Sequence, residues 1–203
     1  SERQNEDLEQ LAEKQKKQFA GNEIKGKKLG VIGLGAIGIL VANAASALGM
    51  EVYGYDPYIS VNAAWKLSRD VKHIMDVNDI YKECDYITIH VPLTDETRGM
   101  IGSEAIAQMK PDAVVLNFAR GPLVDQKAMV EALRTNRIRH YVSDFPIPEI
   151  ATLRKAIVVP PLVASTYISD DIFSPFALDA IRSDHENCNK PIYANYSNFV
   201  IVI

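Results

Sequence analysis

The sequence predicts an α/β domain with a doubly wound parallel sheet, and three observations support this fold class. Short apolar runs alternate with helical stretches along most of the chain. The first run, Leu29–Ile32, is typical of a strand that is buried on both faces, and a glycine-rich turn follows it directly. A helical stretch that ends at Gly49 then leads to a second strand, 51–55, and to Asp56.

The glycine-rich turn reads Gly33-Leu34-Gly35-Ala36-Ile37-Gly38, which is the pattern G-x-G-x-x-G. In the Rossmann unit the first glycine permits a tight turn, the second lets a diphosphate approach the backbone, and the third lets the helix pack closely on the strand. The free N–H groups at the start of the helix, near Ala36 and Ile37, are then expected to face the phosphates.

Asp56 lies eighteen residues beyond Gly38, at the end of the second predicted strand. A carboxylate there is expected to accept hydrogen bonds from the adenosine ribose and to repel a 2′-phosphate, so the cofactor is predicted to be NAD rather than NADP. The order strand, turn, helix, strand and acid makes this prediction much more specific than the glycines alone. The uncharged stretch 30–50 is long enough to suggest a membrane span, but its glycines together with Asn43 and Ser46 favour a strand, turn and helix.

Composition narrows the class of protein further. The 203 residues are 47% hydrophobic and have a net charge of −4, which argues against nucleic acid as the main partner. Cys84 and Cys188 are far apart, so neither a disulfide framework nor a metal site is predicted. The polar start of the chain does not resemble a signal peptide, and a cytoplasmic protein without membrane contact is predicted.

The remaining elements continue the alternation. Further strands are predicted at 71–74, 85–91, 113–119, 140–143 and 155–159. Further helices are predicted at 1–20, at 61–68, after the cap Asp76, at 103–109 with Ser103 as the cap, and from 125 or 126 to 135. Ligands bind such sheets outside the carboxyl ends of the strands. The residues expected at those ends include Val91, Pro92, Phe118, Ala119, Arg120 and Asp144.

Six motifs carry a resemblance to a known family: GLGAIG, YDP, HVPLTDETRGMI, LNFARGPLVD, YVSDFP-x-PE and P-x-x-x-AST. In this order they resemble the NAD domain of D-2-hydroxyacid dehydrogenases over about residues 15–166, with the closest likeness to the 3-phosphoglycerate dehydrogenases of serine synthesis. The resemblance implies an NAD-dependent oxidoreductase that acts on a small 2-hydroxy acid. It also implies a homodimer formed through the NAD domains, with contacts from helices near the first crossover and from the segment around residues 141–153.

In the family the NAD domain is inserted into a substrate domain that both chain ends build. The resemblance therefore implies an interdomain-type helix at 1–20 and an NAD-binding domain at 21–166. It fades in the divergent tail at 167–203, for which two interpretations stay open: a remnant of the substrate domain or an altered sequence. We expect the chain to be an isolated cofactor domain that lacks the amino-terminal part of the substrate domain.

The resemblance also assigns roles to single residues. Arg120 matches the arginine that grips the substrate carboxylate and keto oxygen, for which its planar fork is suited. Glu149 matches the acidic partner that raises the pKa of a catalytic histidine and fixes its tautomer. Asp144 is expected to accept a hydrogen bond from the nicotinamide carboxamide, and His90 is interpreted as structural.

The catalytic histidine itself is replaced in this sequence. The family pattern P-H-[ILV]-G-A-S-T corresponds to residues 160–166, in which Pro161 occupies the histidine position. Proline exchanges no proton, so the chain alone is expected to be weakly active or inactive. Two alternatives stay open: a non-catalytic NAD-binding or sensory module, and a dehydrogenase for a different 2-hydroxy acid such as lactate or glycerate.

Overall fold

The computed structural model describes residues 23–145, 148–153 and 155–158. Within them, a seven-stranded sheet has the order β3-β2-β1-β4-β5-β6-β7, and every pairing is parallel. The strands are β1 (Lys28–Ile32), β2 (Glu51–Tyr55), β3 (Lys72–His73), β4 (Tyr86–Ile89), β5 (Val114–Asn117), β6 (His140–Ser143) and β7 (Ala156–Val158). The order reverses beside β1, which confirms the predicted doubly wound architecture.

Helices connect successive strands. They are α1 (Ala36–Ala47), α2 (Val61–Ala64), α3 (Val77–Glu83), α4 (Ser103–Gln108), α5 (Gln126–Arg134) and α6 (Pro148–Ala151), and a 3₁₀ turn spans Gly121–Leu123. In the described residues, no helix is long and apolar enough to cross a membrane. The predicted helix at 1–20 and the tail at 167–203 lie outside the described residues, as does Pro161.

The core has two parts, one on each face of the sheet. Ile32, Ile87, Ile89 and Val115 face one cluster, to which α3, α4 and α5 also contribute. Leu29, Val31, Val114 and Leu116 face the other cluster, to which α1 contributes. Because both faces are covered, the central strands β1, β4 and β5 are buried almost throughout instead of alternating, as the sequence predicted for β1.

The cap of one helix and the end of another differ from the sequence predictions. Ser103 is not the cap of α4, because Gly102 holds that position and makes no side-chain cap bond. The helix predicted at 61–68 ends at Ala64. The side chain of Asn43 explains this end, since its amide donates to Lys66 O at 2.8 Å and its oxygen accepts from Ser68 N at 2.7 Å. A tertiary contact thus takes over backbone groups that a longer helix would pair within itself.

The strands β4 and β5 are shorter than predicted, and the 3₁₀ turn and α6 were not predicted. The predicted ends at Val91 and Ala119 lie beyond Ile89 and Asn117, where the chain leaves the sheet. There Ala119 N bonds the side chain of Asn117 at 3.2 Å instead of a neighbouring strand. The predicted helix cap Asp76 is confirmed, because its carboxylate accepts a hydrogen bond from Asn78 N. Asp125 caps α5 in the same way, through a hydrogen bond from Ala128 N.

Candidate functional site

The turn after β1 is held by close backbone contacts. Gly33 has a φ of +95°, and a Cβ on it would lie 2.6 Å from the carbonyl oxygen of His90. A Cβ on Gly38 would overlap the carbonyl oxygen of Gly33. The start of α1 therefore packs directly on the turn, and the turn packs on the end of β4. These are the roles that the sequence predicted for the first and third glycines.

The second glycine faces open space. Among the described residues, nothing lies within 4 Å of a Cβ built on Gly35, and Gly35, Ala36 and Ile37 are all exposed. In the same part of the chain, no side chain caps the start of α1, and its first turn contains no acidic residue. The free N–H groups and the positive end of the helix dipole are therefore available to an anion that approaches the bare backbone of Gly35.

Asp56 is tied to this turn by a hydrogen bond. Its Oδ2 accepts from Leu34 N at 2.9 Å, and its Oδ1 accepts from Tyr58 N at 2.9 Å. Each carboxylate oxygen still has a lone pair for another donor. The end of β2 and the glycine-rich turn thus form one unit, and Leu34 contributes to it through a contact that the sequence pattern did not indicate.

His90 lies beneath the same turn. Its Nε2 is 2.9 Å from Thr88 Oγ1, and its backbone N–H donates to Ile32 O at 2.7 Å. Burial lowers the pKa of the His90 ring to about 4, so the imidazole is neutral at pH 7. Its position supports the turn, in keeping with its interpretation as a structural residue.

Arg120 follows β5 and is exposed. Its Nη1 donates to Ala119 O at 2.6 Å, and its own carbonyl accepts from Asn117 Nδ2 at 2.9 Å. The 3₁₀ turn that begins at Gly121 comes directly afterwards, so the arginine lies on a short, well-bonded corner. The guanidinium can present its remaining N–H groups to an anion at the edge of the sheet.

Asp144 follows β6 and is only 6% exposed. Its Oδ1 is buried without a hydrogen-bond partner among the described residues. Burial raises the pKa of this carboxyl group, while the nearby positive charge of Arg120 acts in the opposite direction. A buried acceptor that lacks a donor is costly, and a ligand N–H group would remove that cost.

The other predicted residues lie at or near the same edge. Val91 and Pro92 follow β4, and Val91 contacts the turn at Gly33. Phe118 and Ala119 are half-buried between β5 and Arg120. Glu149 is exposed in α6, and the position of its expected partner lies outside the described residues.

The distance between Asp56 and Asp144 along the carboxyl edge of the sheet follows from the strand order. Four strand spacings separate β2, which carries Asp56, from β6, which carries Asp144. At about 4.8 Å per spacing this is roughly 19 Å. The arrangement can therefore hold an elongated ligand with an anionic middle over Gly35, hydroxyl donors at Asp56 and an N–H donor at Asp144.

A family model described as "D-isomer specific 2-hydroxyacid dehydrogenase, NAD binding domain" matches residues 2–169. The chain belongs to this family. NAD is thus the cofactor of this domain, which confirms the resemblance and the cofactor inferred from the sequence.

Similar proteins agree with this assignment. D-3-phosphoglycerate dehydrogenase of Methanocaldococcus jannaschii is 50% identical over 124 residues, which are 61% of this chain and 23% of the relative. The enzyme of the same name from Mycobacterium leprae is 38% identical over 170 residues, which are 81% of this chain and 32% of the relative. The structure of D-lactate dehydrogenase with NAD⁺ from Lactobacillus jensenii has a TM-score of 0.62 and 34% identity, and the match covers 70% of this chain and 48% of that one. The chain spans about a quarter to a third of the length of the two phosphoglycerate dehydrogenases.

Proposed function

We propose that this dehydrogenase domain binds NAD along the carboxyl edge of its sheet and belongs to an enzyme that oxidises 3-phosphoglycerate to 3-phosphohydroxypyruvate. One observation carries the proposal of binding. The bare backbone at Gly35 and the unpartnered Oδ1 of Asp144 lie on the same edge, with Asp56 bonded to the glycine-rich turn. The residues therefore fit the cofactor at its phosphates, its adenosine ribose and its carboxamide.

The proposed contacts follow from this fit. The N–H groups at the start of α1, near Ala36 and Ile37, would donate to the diphosphate, and the ribose hydroxyls would donate to Asp56. The carboxamide N–H group would donate to Asp144 and so satisfy its buried oxygen. Four residues would flank the ligand between these points: Val91, Pro92, Phe118 and Ala119.

Oxidation of a 2-hydroxy acid removes a hydride from C2 and a proton from the hydroxyl group. Bound NAD supplies the hydride acceptor. Arg120 would hold the substrate carboxylate and the oxygen on C2 with two parallel N–H groups, which a lysine does not offer. Glu149 matches the acidic partner of the family's catalytic histidine, and it would orient and stabilise a protonated imidazole if a histidine stood at position 161.

The proton step limits what this chain does alone. The motif alignment puts Pro161 at the histidine position, so no imidazole is available there to take the hydroxyl proton. Loss of a positioned general base slows a reaction by about 10² to 10⁴, or roughly 3 to 5 kcal/mol in the barrier. We therefore propose that the chain binds NAD and turns over weakly or not at all by itself.

Calorimetric titration of the native chain with NADH, NAD and NADPH tests the binding proposal. We expect NADH and NAD to bind and NADPH to bind at least about tenfold more weakly, because Asp56 repels a 2′-phosphate. No heat with either NAD or NADH would refute the proposal.

A separate assay of NADH formation tests turnover, with 3-phosphoglycerate, D-lactate and D-glycerate compared at equal concentration. Turnover of 3-phosphoglycerate by the native chain at ordinary enzyme rates would contradict the expected loss of the proton acceptor.

The Pro161 position favours a second candidate function, a non-catalytic NAD-binding or sensory module. Arg120 and Glu149 speak against it, since holding NAD alone needs neither side chain. A pull-down that retains a partner protein with NADH present and loses it without NADH would support the module. The same retention with and without NADH would exclude it.

The homodimer is proposed on the resemblance and on one surface. Ile37 and Leu40 on α1 are 65% and 67% exposed, which is unusual for large apolar side chains on one helix. Sedimentation at micromolar concentration is expected to show a dimer, and a monomer alone would contradict this. A cytoplasmic location is proposed on composition and resemblance.

A further inference from the structure

A buried polar cluster lies directly beneath Arg120 and Asp144. Its members are Asn117, Tyr141 and Ser143, and none of them is more than 1% exposed. Asn117 ends β5, Ser143 ends β6, and the two residues are partners in the register of the sheet. Their side chains therefore lie on the same face, next to each other.

Asn117 and Ser143 belong to a row of register partners that runs across the sheet and changes from apolar to polar side chains. Ile32, Ile89, Asn117 and Ser143 are successive register partners across β1, β4, β5 and β6. The first two are fully buried isoleucines, and the last two are fully buried polar residues. Two apolar residues would fill the end of this row without the cost of desolvating polar groups. The hydrogen bonds that Asn117 and Ser143 make should therefore explain why these two positions are polar.

Asn117 bonds the corner that carries Arg120. Its Oδ1 accepts from Ala119 N at 3.2 Å, and its Nδ2 donates to Arg120 O at 2.9 Å. The side chain thus closes the turn on both sides and determines where the backbone of Arg120 leaves the sheet. Asparagine is well suited to this, because its short side chain carries both a donor and an acceptor.

Ser143 bonds the corner that carries Asp144. Its Oγ accepts from Phe145 N at 3.1 Å, which holds the backbone on the far side of Asp144. Tyr141 connects the two corners, since its hydroxyl is 3.4 Å from Asn117 Nδ2 and interacts with the Ser143 side chain. The cluster makes its bonds to the two loops above it, and an isoleucine at either position would make none of them.

We propose that Asn117 and Ser143 are positioning residues, which hold Arg120 and Asp144 in register for the nicotinamide half of the cofactor and for the substrate carboxylate. The inference rests on the proposed function, because it requires NAD to lie along this edge. It predicts that the cluster acts on one half of the cofactor only. The diphosphate and adenosine contacts lie on β1 and β2, away from Asn117 on β5.

Two ligands separate the halves of the cofactor. ADP-ribose lacks the nicotinamide ring, whereas NADH carries it. We expect the native chain to bind NADH more tightly than ADP-ribose. In N117A the NADH Kd is expected to rise about five- to tenfold, while the ADP-ribose Kd stays within about twofold, because the corner of Ala119 and Arg120 beside the nicotinamide half loses the two bonds that hold it. S143A is the second variant in case N117A does not fold, and the same selective loss is expected.

D85N is the matched control for lowered stability. Asp85 accepts from Lys28 N at 2.9 Å and from Lys110 Nζ at 3.0 Å, at the opposite end of the strands. This variant is expected to unfold at a lower urea concentration and to bind both ligands as the native chain does. Titration calorimetry gives the two affinities, and urea unfolding gives the stability.

Each outcome decides the matter. A selective loss of NADH affinity in N117A or S143A supports the positioning role. Equal loss of both ligands, or no loss of either, would overturn it, because the cluster would then serve stability alone. Equal affinity of the native chain for NADH and ADP-ribose would overturn it as well. If the native chain bound neither ligand, the proposed function itself would be refuted, and the positioning role with it.

Discussion

Replacing Gly38 by alanine is expected to damage the fold and the cofactor site together. A Cβ at this position would overlap the carbonyl oxygen of Gly33 and lie 3.0 Å from its carbon. The obstacle is backbone in a turn that is itself held against His90, so no flexible side chain can move away. Relief therefore requires α1 to shift away from the turn, which changes the geometry of the proposed phosphate site.

The size of the effect follows from two opposing terms. Gly38 lies inside α1, where alanine is the better helix former by about 1 kcal/mol. Overpacking a tight site costs about 1 to 3 kcal/mol and more where the neighbour is rigid, as it is here. We expect a net loss of about 2 kcal/mol in the free energy of unfolding.

Gly35 provides the matched variant for this experiment. Its φ of −77° suits alanine, and a Cβ there meets nothing within 4 Å in the described part of the chain. G35A is therefore expected to lose only about 0.5 to 1 kcal/mol of stability through the weaker N-cap. Its NADH affinity is nevertheless expected to fall about 10- to 100-fold, because the Cβ would displace the diphosphate from its backbone donors.

Urea unfolding followed by far-ultraviolet circular dichroism is the suitable assay. Tryptophan fluorescence would report poorly on the core, because Trp65 is 83% exposed. NADH titration gives the second quantity for each variant. Native stability and native NADH affinity in G38A would refute the packing argument. Native NADH affinity in G35A would refute the placement of the diphosphate on this turn.

Three further predictions concern other residues. The pKa of His90 is about 4 in the folded chain and 6.5 when the ring is exposed. As the pH falls, the unfolded chain therefore binds a proton before the folded chain does, and the free energy of unfolding should fall by about 3 kcal/mol from pH 6.5 to pH 4. H90Q should lack this part of the pH dependence in urea titrations, and an identical slope would contradict the burial argument. D56N replaces one acceptor oxygen of Asp56 by an amide donor, so the chain should lose about 1 to 2 kcal/mol of stability and roughly tenfold in NADH affinity. Unchanged NADH binding would exclude Asp56 as the ribose ligand. D125A removes the cap bond to Ala128 N, so denaturation should show a loss of about 1 kcal/mol while calorimetry shows unchanged NADH affinity.

The glycine-rich turn shows what local sequence predicts well. Strand β1, the glycines and α1 form a continuous stretch, so the apolar run, the residues permitted at positive φ and the helical period lie within one window. Asp56 was placed by its spacing for the same reason. The roles of Arg120, Glu149 and Pro161 came from the resemblance, and they stay predictions.

The end of α2 shows where local sequence is insufficient. Residues 65–68 continue an acceptable helical pattern, yet Asn43 from α1 bonds Lys66 and Ser68 and ends the helix early. The bond between Leu34 N and Asp56 is similar, since it joins two strands that are adjacent only after folding.

By itself, the sequence determined the parallel sheet, the glycine-rich turn and the acid at the end of β2, because each depends on residue type and spacing along the chain. Only the tertiary structure decided that Asn117 and Ser143 share one row of the sheet, and that Asp144 keeps a buried oxygen without a partner among the described residues. Both facts depend on strand register and burial. These are set when distant segments pack together, so no single stretch of the chain contains them.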